Sequence, residues 1–171
     1  MNFSTYFTVI SYLMAGTGLA AAGLTAAISP FVLFAAVLVL GIGLFLNLKA
    51  QFLNIPKILW NVFALSIFAF FIIDYLFISN LLLDSASRFL TIIMVAKLFD
   101  LKANRDYLTL YILAFFQLLA ASAATANLTF LFVFILYIVV GIWTLVIFNL
   151  KKDWEEKAPG QTMPKSILGP K

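Results

Sequence analysis

Residues 81–106 read LLLDSASRFLTIIMVAKLFDLKANRD and hold most of the charge that lies among the hydrophobic segments of this chain. No charged residue precedes Lys49, and none lies between Tyr107 and Leu150. Ionisable side chains are costly inside a bilayer, so they usually pair with one another or face a polar interior. A functional site within the hydrophobic part of the chain would therefore lie in or beside this stretch.

The composition on either side of the stretch is that of a membrane protein. Hydrophobic residues make up 64% of the chain, charged residues 11%, and the mean hydropathy is +1.10, whereas a soluble domain is about half apolar and about a quarter charged. A helix needs about 20 residues to cross roughly 30 Å of hydrocarbon, which leaves room for about five or six spans. The lipid bilayer is therefore a predicted partner. The basic residues are scattered over short loops and a tail, and do not indicate nucleic-acid binding.

We predict an all-α integral membrane protein with about six transmembrane helices. The polytopic domain covers residues 1–150, and residues 151–171 form a cytoplasmic tail or a linker to a further span. The predicted spans lie at about 6–28, 30–46, 58–78, 82–99, 107–122 and 128–150.

Two local patterns support the first two spans. Ser29 suits the cap of a helix, and Pro30 suits its first position. Gly18, Ala22 and Ala26 recur on one face of the first helix. Small residues at this spacing let helix backbones approach closely in lipid, and packing within the chain is the simplest use of that face.

The distribution of basic residues predicts the orientation. Six crossings place both termini on one side; if that side is the cytoplasm, ten of the eleven Lys and Arg residues lie inside and only Arg88 lies toward the outside. Because Lys and Arg in the loops set topology, we predict N-in, C-in. The fourth span is short and charged. The alternative, in which it lies along the interface, would put the tail outside against this rule.

Asp74, Asp84 and Arg88 form a predicted polar cluster. Asp74 and Arg88 each lie seven residues from Leu81, where we place the outer turn, so they are expected at matching depth on adjacent helices. Asp84 and Arg88 share one face of the fourth helix at i, i+4 spacing. The cluster either fixes the third and fourth helices or belongs to a polar cavity or docking point; both interpretations stay open.

Lys97, Arg105 and Asp106 mark the following cytoplasmic loop. Lys97 is near the inner boundary, where its ammonium group is expected to reach water. Gln117, the most polar residue of the fifth span, is expected to bond a neighbouring helix.

The composition also limits the chemistry. The chain contains no Cys and no His, which excludes thiol nucleophiles, histidine bases and the usual zinc sites. We therefore predict no catalytic, cofactor-binding or metal-binding residue and no cofactor.

A family resemblance is carried by the order of motifs after residue 81. The chain has RFL at 88–90, KLF at 97–99, NRDY at 104–107 and LAFFQLLAA at 113–121, followed by a long apolar helix. This order resembles the N-terminal membrane domain of bacterial TgpA-type transglutaminase-like proteins over about residues 81–150. The first two spans agree with that family only in hydropathy.

The resemblance implies a bacterial inner-membrane protein with several N-terminal spans. In that family these spans precede an extracytoplasmic transglutaminase-like domain with a Cys-His-Asp triad. This chain stops at Lys171, where the family would enter another span, so none of the triad residues can be assigned here. The expected role is a non-catalytic anchor. The alternatives are a small transporter or channel-like protein that uses Asp74, Asp84 and Arg88, or a membrane scaffold subunit. The oligomeric state is not indicated.

Overall fold

The fold is all-helical in the computed structural model, which describes residues 3–25, 28–49, 56–79, 81–125 and 127–157. Six α-helices and one π-helical segment cover most of these residues. They are α1 (Phe3–Gly23), α2 (Pro30–Leu48), α3 (Lys57–Ile73), the π-helical segment (Asp74–Ser79), α4 (Leu82–Lys97), α5 (Asn104–Ala124) and α6 (Leu128–Lys157).

The most buried helix is α1, which contacts α2, α4, α5 and α6. The small residues predicted to pack closely explain this position. A Cβ atom at Gly18 would lie 3.1 Å from both Cα and Cβ of Ala114 in α5, so only glycine lets the two backbones come this near. Ala22 is fully buried as well, and Ala26 lies outside the described residues.

Tyr12 joins α1 to two other parts of the bundle. Its hydroxyl donates a hydrogen bond to the backbone oxygen of Leu98 (2.9 Å) and accepts one from Nδ2 of Asn47 (3.2 Å). Leu98, which follows α4, and Asn47, in the last turn of α2, are therefore both held beside Tyr12 of α1. The start of α2 follows the sequence prediction: Pro30 is its first residue, and the Ser29 hydroxyl accepts the backbone N–H of Val32.

The helix α4 lies antiparallel to α3. Near one end Arg88 contacts Asp74, and near the other end the Lys97 ammonium lies 5.5 Å from the centre of the Trp60 ring. Between these two contacts, the Phe89 ring of α4 packs against the rings of Phe71 and Phe68 in α3. The helix α4 also packs on α5, α1 and α2, whereas α2 and α3 do not contact each other within the described ranges.

Five helical stretches of the described chain are long and apolar enough to cross a membrane: Phe3–Gly23, Pro30–Leu48, Ile58–Ile78, Asn104–Ala124 and Leu128–Lys157. The fourth predicted span, 82–99, corresponds to α4, whose 16 residues give about 24 Å of helix. It is shorter than the other five and carries Asp84, Arg88 and Lys97.

The first and last helices differ most from the predicted bounds. The first helix begins at Phe3 and ends at Gly23 rather than covering 6–28. The last helix runs through residue 157, seven residues into the predicted tail; residues 158–171 of that tail lie outside the described chain. The ion pairs Lys151–Glu155 and Lys152–Glu156 extend this helix, since both have the i, i+4 spacing that supports helical structure.

Candidate functional site: the ion pairs of the fourth helix

Arg88 and Asp74 form an ion pair between α4 and the π-helical segment. Nη1 of Arg88 lies 2.8 Å from Oδ1 of Asp74, whose side chain is 3% exposed, while that of Arg88 is 33% exposed. The structure thus brings together the two residues that the sequence places at equal distance from Leu81. Burying a carboxylate in an apolar helix pair is costly unless it is paired and hydrogen-bonded, and Arg88 supplies such a partner.

Asp74 is the first residue of the π-helical segment that continues α3. Such segments are rare and frequently occur at functional sites. The second carboxylate oxygen of Asp74, Oδ2, is buried and has no hydrogen-bond partner among the described residues. The Arg88 contact therefore satisfies only one side of this carboxylate.

Asp84, the third member of the predicted cluster, occupies a different environment. It is half-buried in the first turn of α4, where a negative charge interacts favourably with the helix dipole. It forms no ion pair with any residue that the structure describes. The ion-paired part of the predicted cluster is thus the Arg88–Asp74 pair.

The ammonium group of Lys97 is directed into a second set of charges rather than toward water. Its Nζ lies 2.7 Å from Oδ1 of Asp106 in α5 and 3.4 Å from Oδ2 of Asp100. The side chain is only 11% exposed, so the expectation that it reaches out to solvent is wrong. The nearby carboxylates replace the missing water.

Asp106 has a second role in the same place. Its Oδ2 accepts hydrogen bonds from the backbone N–H groups of Ala103 (2.8 Å) and Lys102 (3.2 Å). One carboxylate therefore caps the start of α5 and binds Lys97 of α4. We call Lys97, Asp100, Lys102 and Asp106 the Lys97 cluster; Lys102 joins it through Asp100 at 3.7 Å.

Arg105 is the predicted loop residue that does not join this cluster. It is exposed and has no ion-pair partner in the ranges described above.

The sequence analysis missed a third polar contact, between α5 and α6. The amide of Asn104 donates to Oε2 of Glu155, and Nζ of Lys151 donates to Oδ1 of Asn104. Lys151 also lies 4.8 Å from the centre of the Phe7 ring in α1. The i, i+4 spacing of Lys151 and Glu155 could have indicated that α6 continues past residue 150. The sequence prediction placed both residues in the tail instead.

An apolar groove of about 800 Å³ lies between α2, α3 and α4. The donors of its two hydroxyl groups are already used within the helices. Ser66 donates to the oxygen of Val62, and Thr91 donates to the oxygen of Ser87, both at 2.9 Å within their own helices. The groove can thus accommodate an apolar chain such as a lipid tail.

Within the described ranges, no three acidic residues lie close enough together to hold a metal ion. The buried charges lie between helices, where each ion pair holds two segments in register. These features define a class of protein: an all-helical protein with several helices able to span a membrane, joined by ion pairs between neighbouring helices.

The comparisons identify the family within that class. Residues 12–169 match the family model described as the TgpA N-terminal domain. The chain therefore belongs to the TgpA N-terminal domain family, which confirms the resemblance found in the sequence. No curated protein and no solved structure matches this chain.

Proposed function

We propose that this chain is a non-catalytic membrane domain that anchors and orients a transglutaminase-like catalytic domain outside the bacterial inner membrane. The observation that carries this proposal is the family match over residues 12–169. Cysteine and histidine are absent from the chain, so a Cys-His-Asp triad would have to be supplied by another part of the protein.

The proposed topology has six crossings with both termini in the cytoplasm. Its least apolar crossing is α4, and the antiparallel contacts of α4 with α3 support it. Arg88 pairs with Asp74 toward one end, and Lys97 lies over Trp60 near the other. A helix lying along the interface would not follow its neighbour over this length.

An anchoring role agrees with the use of the charged residues. Arg88 binds Asp74, and Lys97 binds Asp106, so the charges within the helical bundle hold helices together. A rigid bundle of this kind can fix the position of an attached domain relative to the membrane. With both termini inside, one further crossing after Lys171 would deliver that domain to the outside.

The first test is the reading frame beyond the codon for Lys171. We expect it to continue into another apolar span and then into a domain that contains Cys, His and Asp in the order of a transglutaminase-like triad. A stop codon directly after Lys171 would contradict the anchoring proposal. The measurement is sequencing of the transcript and the genomic region.

The topology gives a second prediction, which uses the absence of native cysteine. Ala103→Cys lies in the α4–α5 connection and Asn127→Cys in the α5–α6 connection, both at exposed positions. In intact cells we expect a membrane-impermeant maleimide to label Asn127→Cys. It should label Ala103→Cys only after permeabilisation, because six crossings place these two loops on opposite sides.

The cysteine-free parent is the control for this labelling. Labelling of Ala103→Cys from outside, with Asn127→Cys protected, would contradict the proposed topology of six crossings with both termini in the cytoplasm. It would also place the C-terminal end of α6 outside.

A transporter or channel-like role is the second candidate, and the buried Oδ2 of Asp74 is the observation that favours it. A polar path through the bundle would need such groups. Ion or solute uptake by purified protein in liposomes, abolished by Asp74→Asn, would favour this role over anchoring.

A further inference from the structure

Gln117 has the least satisfied polar side chain in the described part of the bundle. Its side chain is 0% exposed, and neither Nε2 nor Oε1 has a hydrogen-bond partner among the described residues. The expected bond to a neighbouring helix is therefore absent from the described contacts. A primary amide has two N–H donors and an acceptor oxygen, and leaving them unpaired in an apolar interior is unfavourable.

Ser87 presents the same problem on α4. It is also 0% exposed, and its hydroxyl oxygen has no partner within the ranges that the structure covers. The backbone oxygen of Ser87 is already used, because it accepts the hydroxyl of Thr91. Its side chain thus has a free donor and free acceptor positions in the interior.

The register of α4 and α5 places Ser87 and Gln117 at the same depth. These helices pack on each other, and the contact of Lys97 with Asp106 fixes their alignment. Ser87 precedes Lys97 by 10 residues, and Gln117 follows Asp106 by 11. At 1.5 Å per residue these separations are about 15 Å and about 16.5 Å.

We propose that Ser87 and Gln117 bind ordered water between α4 and α5, forming an internal hydration site. A buried water typically makes about three hydrogen bonds to polar groups that would otherwise be unpaired. The Ser87 hydroxyl and the two ends of the Gln117 amide supply such groups from facing helices. This inference does not depend on the proposed anchoring function.

The chemistry of the site favours water over an ion. The Ser87 and Gln117 side chains are uncharged, so they offer no net charge to hold an ion. The nearest charges along α4 are Arg88, which is paired with Asp74, and Asp84, which is half-buried in the first turn of the helix.

Solid-state NMR of the protein in liposomes tests the site through its glutamine signals. The chain has only three glutamines, Gln51, Gln117 and Gln161, so ¹⁵N-glutamine labelling gives few resonances. Phe116 precedes Gln117, whereas Ala50 and Gly160 precede the other two. Added ¹³C-phenylalanine labelling therefore assigns the backbone nitrogen of Gln117, and ¹³C in the glutamine itself links that nitrogen to Nε2 of the same residue. No variant that could fail to fold is needed.

The expected result is rapid transfer of magnetisation from water to Nε2 of Gln117, faster than to the backbone nitrogen of the same residue. Ser87→Ala is expected to reduce this transfer by about twofold or more, because it removes one of the groups that hold the water. The matched control is Ser66→Ala, which removes a hydroxyl bonded within α3 and should leave the Gln117 signal unchanged.

Two results would overturn the proposal. Transfer to Nε2 no faster than to the backbone nitrogen would mean that the site is dry and that Ser87 and Gln117 bond directly or stay unpaired. Fast transfer that Ser87→Ala leaves unchanged would exclude Ser87 from the water site.

Discussion

Replacing Arg88 with methionine is expected to lower the free energy of unfolding by about 3 kcal/mol, because removing one partner of a buried ion pair leaves the other charge without compensation. The charge left behind is that of Asp74, whose side chain is 3% exposed. Asp74 would lose its only described ion-pair partner. Methionine keeps much of the length of arginine, so the loss would reflect charge rather than volume. The measurement is reversible unfolding in mixed micelles.

Two variants separate the ion pair from other effects of the substitution. The double variant Asp74→Asn with Arg88→Met removes both charges and is expected to recover most of the lost stability. Asp84→Asn changes a half-buried carboxylate outside the described ion pairs and should cost only about 0.5 kcal/mol through the helix dipole. If Arg88→Met unfolds at the same point as the parent, the Arg88–Asp74 pair does not hold α3 and α4 together.

Replacing Lys97 with methionine is expected to cost about 3 kcal/mol for the same reason at the other end of α4. Asp106 would keep the two backbone N–H groups of the α5 cap but would lose the ammonium at 2.7 Å. Of the cations in the cluster, only Lys102, at 3.7 Å from Asp100, would then offset the repulsion between Asp106 and Asp100. Unfolding of purified protein in micelles, at low and high salt, measures this loss.

Lys102→Met is the matched control for this second prediction. Lys102 belongs to the same cluster, but its side chain is 37% exposed and its contact with Asp100 is 3.7 Å long. Exposed pairs of this kind contribute less than about 1 kcal/mol. Equal effects of Lys97→Met and Lys102→Met would show that burial of the Lys97 ammonium does not determine the stability of the cluster.

The sequence was a good guide where one local rule determines the structure. Ser29 and Pro30 begin α2 as their residue types predict. The equal spacing of Asp74 and Arg88 from Leu81 anticipated their contact, because an antiparallel helix pair brings together residues equidistant from the turn. The i, i+4 spacing also predicted that Asp84 would lie beside Arg88 and share in the ion pair. In the structure Arg88 pairs with Asp74, which belongs to the antiparallel neighbour of α4.

Features that depend on helix rotation were not predictable in this way. Helices that are apolar on nearly every side give no signal for which face meets which neighbour. The direction of Lys97 is an example: its position near a helix end favoured contact with water, but Asp106 and Asp100 were already within reach across the loop. The contact of Tyr12 with Asn47 and the backbone of Leu98 joins three segments that are distant in sequence.

The buried position of α1 has a consequence for biosynthesis. Its Ser11 hydroxyl lies 2.6 Å from the hydroxyl of Tyr111, a partner 100 residues later in the chain. At the usual rates of translation, roughly 5 to 20 seconds pass before that partner is made. During this time α1 waits while its final neighbours, α5 and α6, are still unmade. The centre of the bundle is therefore completed only after α5 and α6 have been made.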